Sequence, residues 1–92
     1  MPRYVTIHLA PGLSREEFAQ TAPAVLEGRH AQFQQMFANV LEGFIVSVYE
    51  AADRAALERE FERLGFPFQE IHEIQVALTP DDLRRMVAGH GG

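Results

Sequence analysis

The fold of this 92-residue chain is decided by two short stretches, Tyr-Val-Thr-Ile-His-Leu at residues 4–9 and Phe-Ile-Val-Ser-Val-Tyr at residues 44–49. In the first stretch, apolar residues alternate with more polar ones, which is typical of a β-strand with two different faces. The second stretch is rich in β-branched and aromatic residues, which also favour a strand. A helical pattern follows each stretch, so the sequence predicts two similar halves that both begin with a strand, a loop and a helix.

A first helix is predicted to begin at Ser14. Ser14 and Glu17 fit a capping box, in which the serine oxygen accepts a hydrogen bond from a backbone N–H and the glutamate bonds back. Pro23 is expected to bend this helix or to split it near Thr21, because proline cannot donate the helical hydrogen bond. Gly28 is its predicted end. The predicted inward stripe has helical spacing: Phe18, Ala22, Val25 and Leu26.

The middle of the chain predicts a hairpin and a second helix. Residues 33–40 are interpreted as a strand and residues 41–43 as the turn into the next strand. Asp53 is predicted to cap the second helix, and Gly65 is predicted to end it. The charged residues of this helix predict a solvated surface. Its predicted core stripe is Leu57, Phe61 and Leu64.

The last predicted strand covers residues 70–78, and a short helix is predicted to follow from Thr79 and Pro80. The element order is therefore β-α-β-β-α-β plus a C-terminal helix, which is an α+β, ferredoxin-like sandwich with the predicted strand order 4-1-3-2. No linker or change in composition divides the chain, so residues 1–92 are predicted to form a single ferredoxin-like domain. The glycine-rich tail at residues 89–92 is predicted to be flexible.

The composition argues against several classes of function. The chain has no cysteine, so it forms neither disulfides nor cysteine-ligated metal sites. Its net charge is −5 and its eight basic residues are all arginine without a basic block, which argues against binding a nucleic-acid backbone. No apolar run approaches the roughly 20 residues of a membrane span. No signal peptide is recognisable before the first strand, so we expect a cytoplasmic protein with no membrane partner.

In a ferredoxin-like fold both helices pack on one side of the sheet, here called the helix face, and leave the other side, the open face, uncovered. The alternation predicts the most aliphatic residues on the helix face: Val5, Ile7, Leu9, Phe44, Val46 and Val48. The residues predicted on the open face from the first and third strands are Tyr4, Thr6, His8, Ile45, Ser47 and Tyr49. If Ile74, Val76 and Leu78 of the last strand point to the core, the open face also includes Ile71, Glu73, Gln75 and Ala77. Such a half-apolar surface is usually buried against something. We therefore expect a homodimer in which two open faces meet as a dimeric α/β barrel around a cavity.

Several short motifs carry a resemblance to a known family. They are Met1-Pro2-Arg3-Tyr4-Val5, Pro11-Gly12, Val48-Tyr49-Glu50-Ala51, Leu64-Gly65-Phe66-Pro67 and Ile71-x-Glu73-Ile74. With these motifs spread over most of its length, the chain resembles the small, largely uncharacterised ferredoxin-like proteins that include a bacterial nickel-binding protein. The resemblance implies the ferredoxin-like fold, and it implies nickel or another divalent transition metal as a ligand.

The same resemblance implies a working surface on the open face. The second strand of the family carries a Trp-x-His-x-Tyr-like alternation, and its third strand often has a cysteine. A gapless alignment places Gln35, Phe37 and Asn39 at the three positions of the alternation and Ser47 at the cysteine position. Histidine and cysteine are ligand types that suit nickel, and this chain has Phe37 and Ser47 in their place.

The leading hypothesis is a homodimeric protein that binds a small ligand or a metal ion between its sheets. His8 is the strong metal donor of the predicted open face, and Glu73 is its predicted partner across the sheet. Further ligand contacts are predicted from Tyr4, Phe37, Ser47, Tyr49 and Gln75. The other histidines are interpreted as peripheral: His30, His72 and His90.

Two alternatives stay open. One is a cofactor-free enzyme of the dimeric α/β-barrel kind (an isomerase, cyclase or monooxygenase) with His8 as the acid/base group and Tyr49 beside it. In that case Phe33, Phe37 and Tyr4 would line an apolar pocket. The other is a structural or regulatory dimer without a site, in which His8 forms a hydrogen bond across the interface. The sequence does not identify the ligand or substrate.

Overall fold

The order of strands and helices follows the sequence prediction. The structure is a computed structural model that describes residues 1–91, and Gly92, the last residue of the tail that is predicted to be flexible, lies outside the described residues. The elements are β1 (Arg3–Leu9), α1 (Arg15–Glu27), β2 (Ala31–Asn39), β3 (Phe44–Ala51), α2 (Arg54–Leu64), β4 (Glu70–Glu73) and α3 (Pro80–Gly91). None of these helices is long and apolar enough to cross a membrane.

The four strands form an antiparallel sheet in the order β2-β3-β1-β4. β1 lies inside the sheet and pairs with β3 along its whole length. On its other side, β1 pairs with the short strand β4. The predicted α+β class, strand order and ferredoxin-like arrangement of the described residues are confirmed.

β4 is shorter than the predicted strand at residues 70–78. It ends at Glu73, and residues 74–79 have no regular structure. The reason is that its pairing partner β1 begins at Arg3, whose carbonyl oxygen accepts the last bond of this edge from the Ile74 N–H at 2.8 Å. Beyond that bond, the backbone has no strand to pair with.

α1 begins at the predicted Ser14 cap and ends at the predicted Gly28. The Oγ of Ser14 accepts a hydrogen bond from the Glu17 N–H at 3.2 Å. The predicted split at Pro23 is wrong, because α1 is one helix from Arg15 to Glu27. Pro23 is exposed, so water can satisfy the carbonyl oxygen that it leaves unpaired. The predicted inward stripe is confirmed only in part. Phe18 and Val25 are half-buried, whereas Ala22 and Leu26 are exposed.

α2 supplies the centre of the core. Its predicted core residues Leu57 and Phe61 are fully buried, and Gly65 ends the helix with a φ of 72°, in the left-handed region that favours glycine. The Phe61 ring meets the rings of His8 and Tyr49 edge-to-face, with centroid distances of 4.9 and 5.1 Å. This packing joins α2 to the two middle strands of the sheet.

The assignment of the two sheet faces is the main error of the sequence prediction. The six residues predicted on the open face from β1 and β3 are all buried under the helices: Tyr4, Thr6, His8, Ile45, Ser47 and Tyr49. The residues predicted on the helix face are half-buried or exposed and form the open face instead: Val5, Ile7, Leu9, Phe44, Val46 and Val48. The β4 residues follow the same inversion, because Ile71 pairs with Thr6 and is buried on the helix face.

The inversion has a physical reason. The prediction assumed that the more aliphatic set of residues packs under the helices, which holds only when the other side of the sheet meets water. In this chain the polar members of the helix face satisfy one another by hydrogen bonds, so Thr6 and Ser47 are buried without an unpaired polar atom. Burying these two hydroxyls therefore does not incur the free-energy cost of an unpaired polar group. The aliphatic side chains of β1 and β3 accordingly lie on the open face.

The predicted solvated surface of α2 is wrong at Glu60, which is fully buried. Its carboxylate accepts hydrogen bonds from the Arg63 Nε at 3.0 Å and from the His30 backbone N–H at 3.1 Å. Arg63 also donates to the carbonyl oxygen of Ala24 in α1 at 2.8 Å. Burial alone would raise the pKa of Glu60, but the hydrogen bonds from Arg63 and His30 outweigh it and leave the pKa below its ordinary value. The ion pair thus joins α2 to α1 and to the start of β2.

Candidate functional site

A cavity of about 290 Å³ lies between α1, the helix face of the sheet and the segment that follows α2. Its rim is marked by the exposed residues Leu9, Gly65 and Pro67. Most of the inner wall is apolar and includes Leu13, Phe18, Met36, Ile45 and Phe66. The polar side chains in the wall are His8, Thr21, Ser47 and Tyr49. An apolar cavity with a few polar groups is the usual composition of a site for a small organic molecule.

Local sequence signals place the apolar wall. Leu13 and Phe18 flank the Ser14 cap as a hydrophobic staple, which holds both side chains at the start of α1. Met36 reaches the helix face because β2 has a bulge: Phe33 pairs with Tyr49, whereas Gln35 pairs with Val48. The extra residue reverses the alternation of β2, so Met36 faces the cavity.

Two polar residues of the wall, His8 and Ser47, belong to a compact hydrogen-bonded cluster that also includes Thr6. His8 Nε2 lies 2.9 Å from the Thr6 Oγ1 and 3.3 Å from the Ser47 Oγ. The hydroxyls of Thr6 and Ser47, which are opposite each other on β1 and β3, are also hydrogen-bonded. All three residues are buried, and His8 and Ser47 form part of the cavity wall.

Pro67 fixes the orientation of the His8 ring. The Nδ1 of His8 lies 2.8 Å from the carbonyl oxygen of Pro67. Because a carbonyl oxygen only accepts, Nδ1 carries the hydrogen, and Nε2 of the neutral ring is an acceptor. Burial lowers the pKa of His8, and the Pro67 carbonyl opposes this effect only in part. His8 is therefore neutral at pH 7, with its Nε2 lone pair directed at the two hydroxyls.

Tyr49 stands next to this cluster in the cavity wall. Its ring packs edge-to-face on Phe33 and Phe61, with centroid distances of 5.5 and 5.1 Å. Burial raises the pKa of Tyr49 to about 12, and the nearby negative charge of Glu60 adds to the effect. The phenol is therefore protonated throughout the neutral range and acts as a neutral hydrogen-bonding group.

The predicted site residues are only partly brought together. His8, Ser47 and Tyr49 share the cavity, as predicted for one site, although on the other side of the sheet. Phe37 pairs with Val46 on the open face and is 58% exposed, so it lies across the sheet from them. Gln75 is exposed beyond the end of β4, outside the cavity wall.

Tyr4 and Glu73 form a separate pair at the far end of β1. They are opposite each other in the sheet, and the pKa of Tyr4 is raised by burial and then by the charges of Glu73 and Asp53. His8 lies four residue steps along the extended strand from Tyr4, a distance of roughly 13 Å. The predicted contact between His8 and Glu73 is therefore wrong.

The residues do not fit the nickel site that the family resemblance implies. Both ring nitrogens of His8 are hydrogen-bonded inside the protein, and the predicted second ligand, Glu73, lies at the other end of the strand. Across residues 1–91, no three histidine, aspartate or glutamate side chains are grouped so that they could hold one metal ion.

The comparisons with known proteins support the fold. No protein-family model matches the sequence, and no curated protein matches it at a significant level. A solved structure that matches is the crystal structure of SCO4226 from Streptomyces coelicolor A3(2), with a TM-score of 0.73 and 25% sequence identity. The match covers 83% of this chain and 99% of that chain. The similarity extends over nearly the whole of the Streptomyces protein, which agrees with the ferredoxin-like arrangement described above.

Sequence reasoning missed several wall residues, namely Leu13, Phe18, Met36 and Phe66. The sequence predicts Phe18 only as a member of the inward stripe of α1. Phe66 follows the helix end at Gly65 directly, and an aromatic residue at such a position often packs back against the helix. The pairing of Thr6 with Ser47 was also a usable signal, because two hydroxyls opposite each other satisfy one another in a buried sheet face.

Proposed function

We propose that this protein binds a small, mainly apolar organic molecule in the cavity under α1. The observation that carries the proposal is the composition of the wall, in which Leu13, Phe18 and Phe66 face a single polar cluster built on His8. The volume of about 290 Å³ lies at the small end of the range for ligand sites, which favours a one- or two-ring molecule. A wall of this kind supplies binding energy from apolar burial and orientation from the polar cluster.

The chain offers a direct test, because it has no native tryptophan. Phe18→Trp places an indole in the cavity wall, and Leu26→Trp places one on the outer side of α1, where Leu26 is 74% exposed. Titration with 1-adamantanol, which does not absorb in the tryptophan region, should change the Phe18→Trp emission until it saturates. The Leu26→Trp emission should stay constant. A flat titration of both variants would contradict the proposal.

We also propose a homodimer that forms through the open face. The support is the aliphatic character of this face, in which Val5, Ile7 and Val46 lie side by side without a helix above them. Phe37 and Phe44 extend the patch and are 58% and 40% exposed. Contiguous apolar surface on a folded chain is usually covered by another protein surface. In a two-fold symmetric dimer, the patch of one chain would pack against the same patch of the second chain. In such a dimer the cavity lies inside each subunit, under α1, rather than between the sheets.

A second candidate function is proton-transfer catalysis without a cofactor. The observation that favours it is the fixed tautomer of His8, whose Nε2 lone pair points towards Ser47 in the cavity wall. A neutral imidazole that contacts a hydroxyl of the cavity wall is suited to take up, through that hydroxyl, a proton from a C–H next to a carbonyl group. The test is hydrogen–deuterium exchange of 2-tetralone in D₂O, followed by NMR with the protein and with its His8→Gln variant. Equal rates for both proteins would dispose of this function and leave the ligand-binding proposal intact.

Metal analysis separates these proposals from the metal ligand that the family resemblance implies. Protein purified without a histidine tag and reloaded with nickel is dialysed and analysed for bound metal. We expect much less than one equivalent per chain, because His8 is held by Thr6 and Pro67. One retained equivalent, lost in His8→Gln, would show that the cluster opens to take a metal.

A further inference from the structure

The hydrogen bonds around His8 restrict what the polar end of a ligand can be. The Nδ1–H is donated to the Pro67 carbonyl oxygen, so Nε2 needs a hydrogen from one of the two hydroxyls. The close contact between the Thr6 and Ser47 hydroxyl oxygens needs a hydrogen as well, because two oxygens without one between them repel. Each hydroxyl has one hydrogen, so both hydrogens are used inside the cluster.

Each possible arrangement of the two hydrogens gives the same result for the cavity. If Thr6 donates to His8, Ser47 donates to Thr6; if Ser47 donates to His8, Thr6 donates to the Ser47 Oγ. If Thr6 instead donates to the Ser47 carbonyl oxygen, at 3.4 Å, the hydrogen between the two hydroxyl oxygens comes from Ser47. In each case the Ser47 Oγ has no hydrogen to offer and has a lone pair left. Of the two hydroxyl residues only Ser47 belongs to the cavity wall, and it is 4% exposed. The cluster therefore presents an acceptor to the cavity.

Resting on the proposed ligand-binding function, we propose that the natural ligand carries a hydrogen-bond donor, a hydroxyl or an N–H group, that binds the Ser47 Oγ. A ligand whose polar end only accepts leaves the serine oxygen without a partner in an apolar site. Two acceptors would then face each other, which costs more than the loss of one hydrogen bond. At the position that contacts Ser47, the cluster thus favours the hydroxyl or N–H of an alcohol, phenol or amine over the oxygen of the matching ether or ketone.

The test compares probes built on the same naphthalene ring by isothermal titration calorimetry of the intact protein. 2-Naphthol offers a donor, 2-methoxynaphthalene offers only an acceptor, and 2-naphthylamine offers an N–H donor. We expect both donors to bind roughly fivefold to tenfold more tightly than the ether. In Ser47→Ala this preference should disappear, whereas Ser14→Ala, which changes the other serine of the chain outside the cavity, should keep it.

The outcomes separate the two proposals. If the ether binds as tightly as 2-naphthol, the donor inference is wrong and the ligand-binding function stands. A preference that persists in Ser47→Ala would also overturn the inference, because a group other than Ser47 would then accept the hydrogen bond from the ligand. If no probe binds, both proposals fail. Should Ser47→Ala not fold, the comparison of the three probes on the unchanged protein decides the matter.

Discussion

His8 in β1 donates its Nδ1–H to the carbonyl oxygen of Pro67, across 2.8 Å and 59 positions of sequence. This bond ties the middle of the sheet to the segment that follows α2, and it sets the tautomer on which the candidate site depends. The bond also lies at the cavity rim, because its acceptor residue, Pro67, is exposed there. Stability and ligand binding are therefore linked at this one imidazole.

The first prediction concerns the pH dependence of stability. Burial lowers the pKa of folded His8 below its ordinary value of 6.5, so below about pH 6.5 the unfolded chain binds a proton that the folded chain does not. The free energy of unfolding should therefore fall as the pH is lowered through 6.5, until the folded pKa is reached. Urea unfolding at a series of pH values measures this slope. His8→Gln should flatten it, whereas His72→Gln, at an exposed position, should leave it unchanged.

The second prediction tests the dimer. Phe37→Glu places a charge on the open face at a position that is 58% exposed in one chain, so the fold should tolerate it. Light scattering should give twice the 10.4 kDa chain mass for the unchanged protein and the chain mass for the variant. Leu41→Glu is the matched control, because Leu41 is 99% exposed in the turn before β3, and it should stay dimeric. An unchanged protein of 10.4 kDa would refute the dimer.

The third prediction concerns the buried ion pair of Glu60 and Arg63. Glu60→Gln removes the nearer of the two carboxylates that pair with Arg63, leaving Glu27 at 3.6 Å, and weakens the link to the His30 N–H. We expect a loss of about 3 kcal/mol in the free energy of unfolding, as for other broken buried pairs. Glu58→Gln breaks only an exposed pair with Arg54 and should cost less than about 1 kcal/mol. Equal losses in the two variants would mean that Glu60 is hydrated in solution.

The fourth prediction concerns a variant whose larger side chain fills the cavity. Met36→Trp enlarges a side chain in the apolar wall, and we expect the affinity for 2-naphthol to fall at least roughly tenfold, because the indole occupies the space of the ligand. Calorimetry measures the affinity. Gln34→Trp, an exposed neighbour at the bulge of β2, should bind as the unchanged protein does. A Met36→Trp variant that folds and binds normally would place the ligand elsewhere.

The sequence was sufficient for the topology because local signals are strong at the element ends. The caps at Ser14 and Asp53 and the glycine at Gly65 lie where they were predicted. The strand alternation correctly placed Ile7 and His8 on opposite faces of β1. These signals depend on neighbouring residues only, and one sequence contains them in full.

Which side of the sheet lies under the helices could not be predicted in the same way. Hydrophobicity ranks Val5 and Ile7 above Thr6 and His8, but that ranking identifies the helix face only if the other side meets water. The bulge in β2, which turns Met36 to the cavity, leaves no clear mark in the sequence. As a result the strands that carry His8, Ser47 and Tyr49 were predicted correctly, whereas the side of the sheet on which they form a site was not.

The central claim is that a small apolar molecule binds under α1, and a titration of ¹⁵N-labelled protein with 2-naphthol tests it most directly. We predict saturable amide shifts, with one ligand per chain, at cavity-wall residues such as Phe18, Ile45 and Phe66. The amides of Leu41 and Ala55, which are exposed and away from the cavity wall, should not move. Shifts that do not saturate, or saturable shifts confined to residues outside the cavity wall, would contradict the claim.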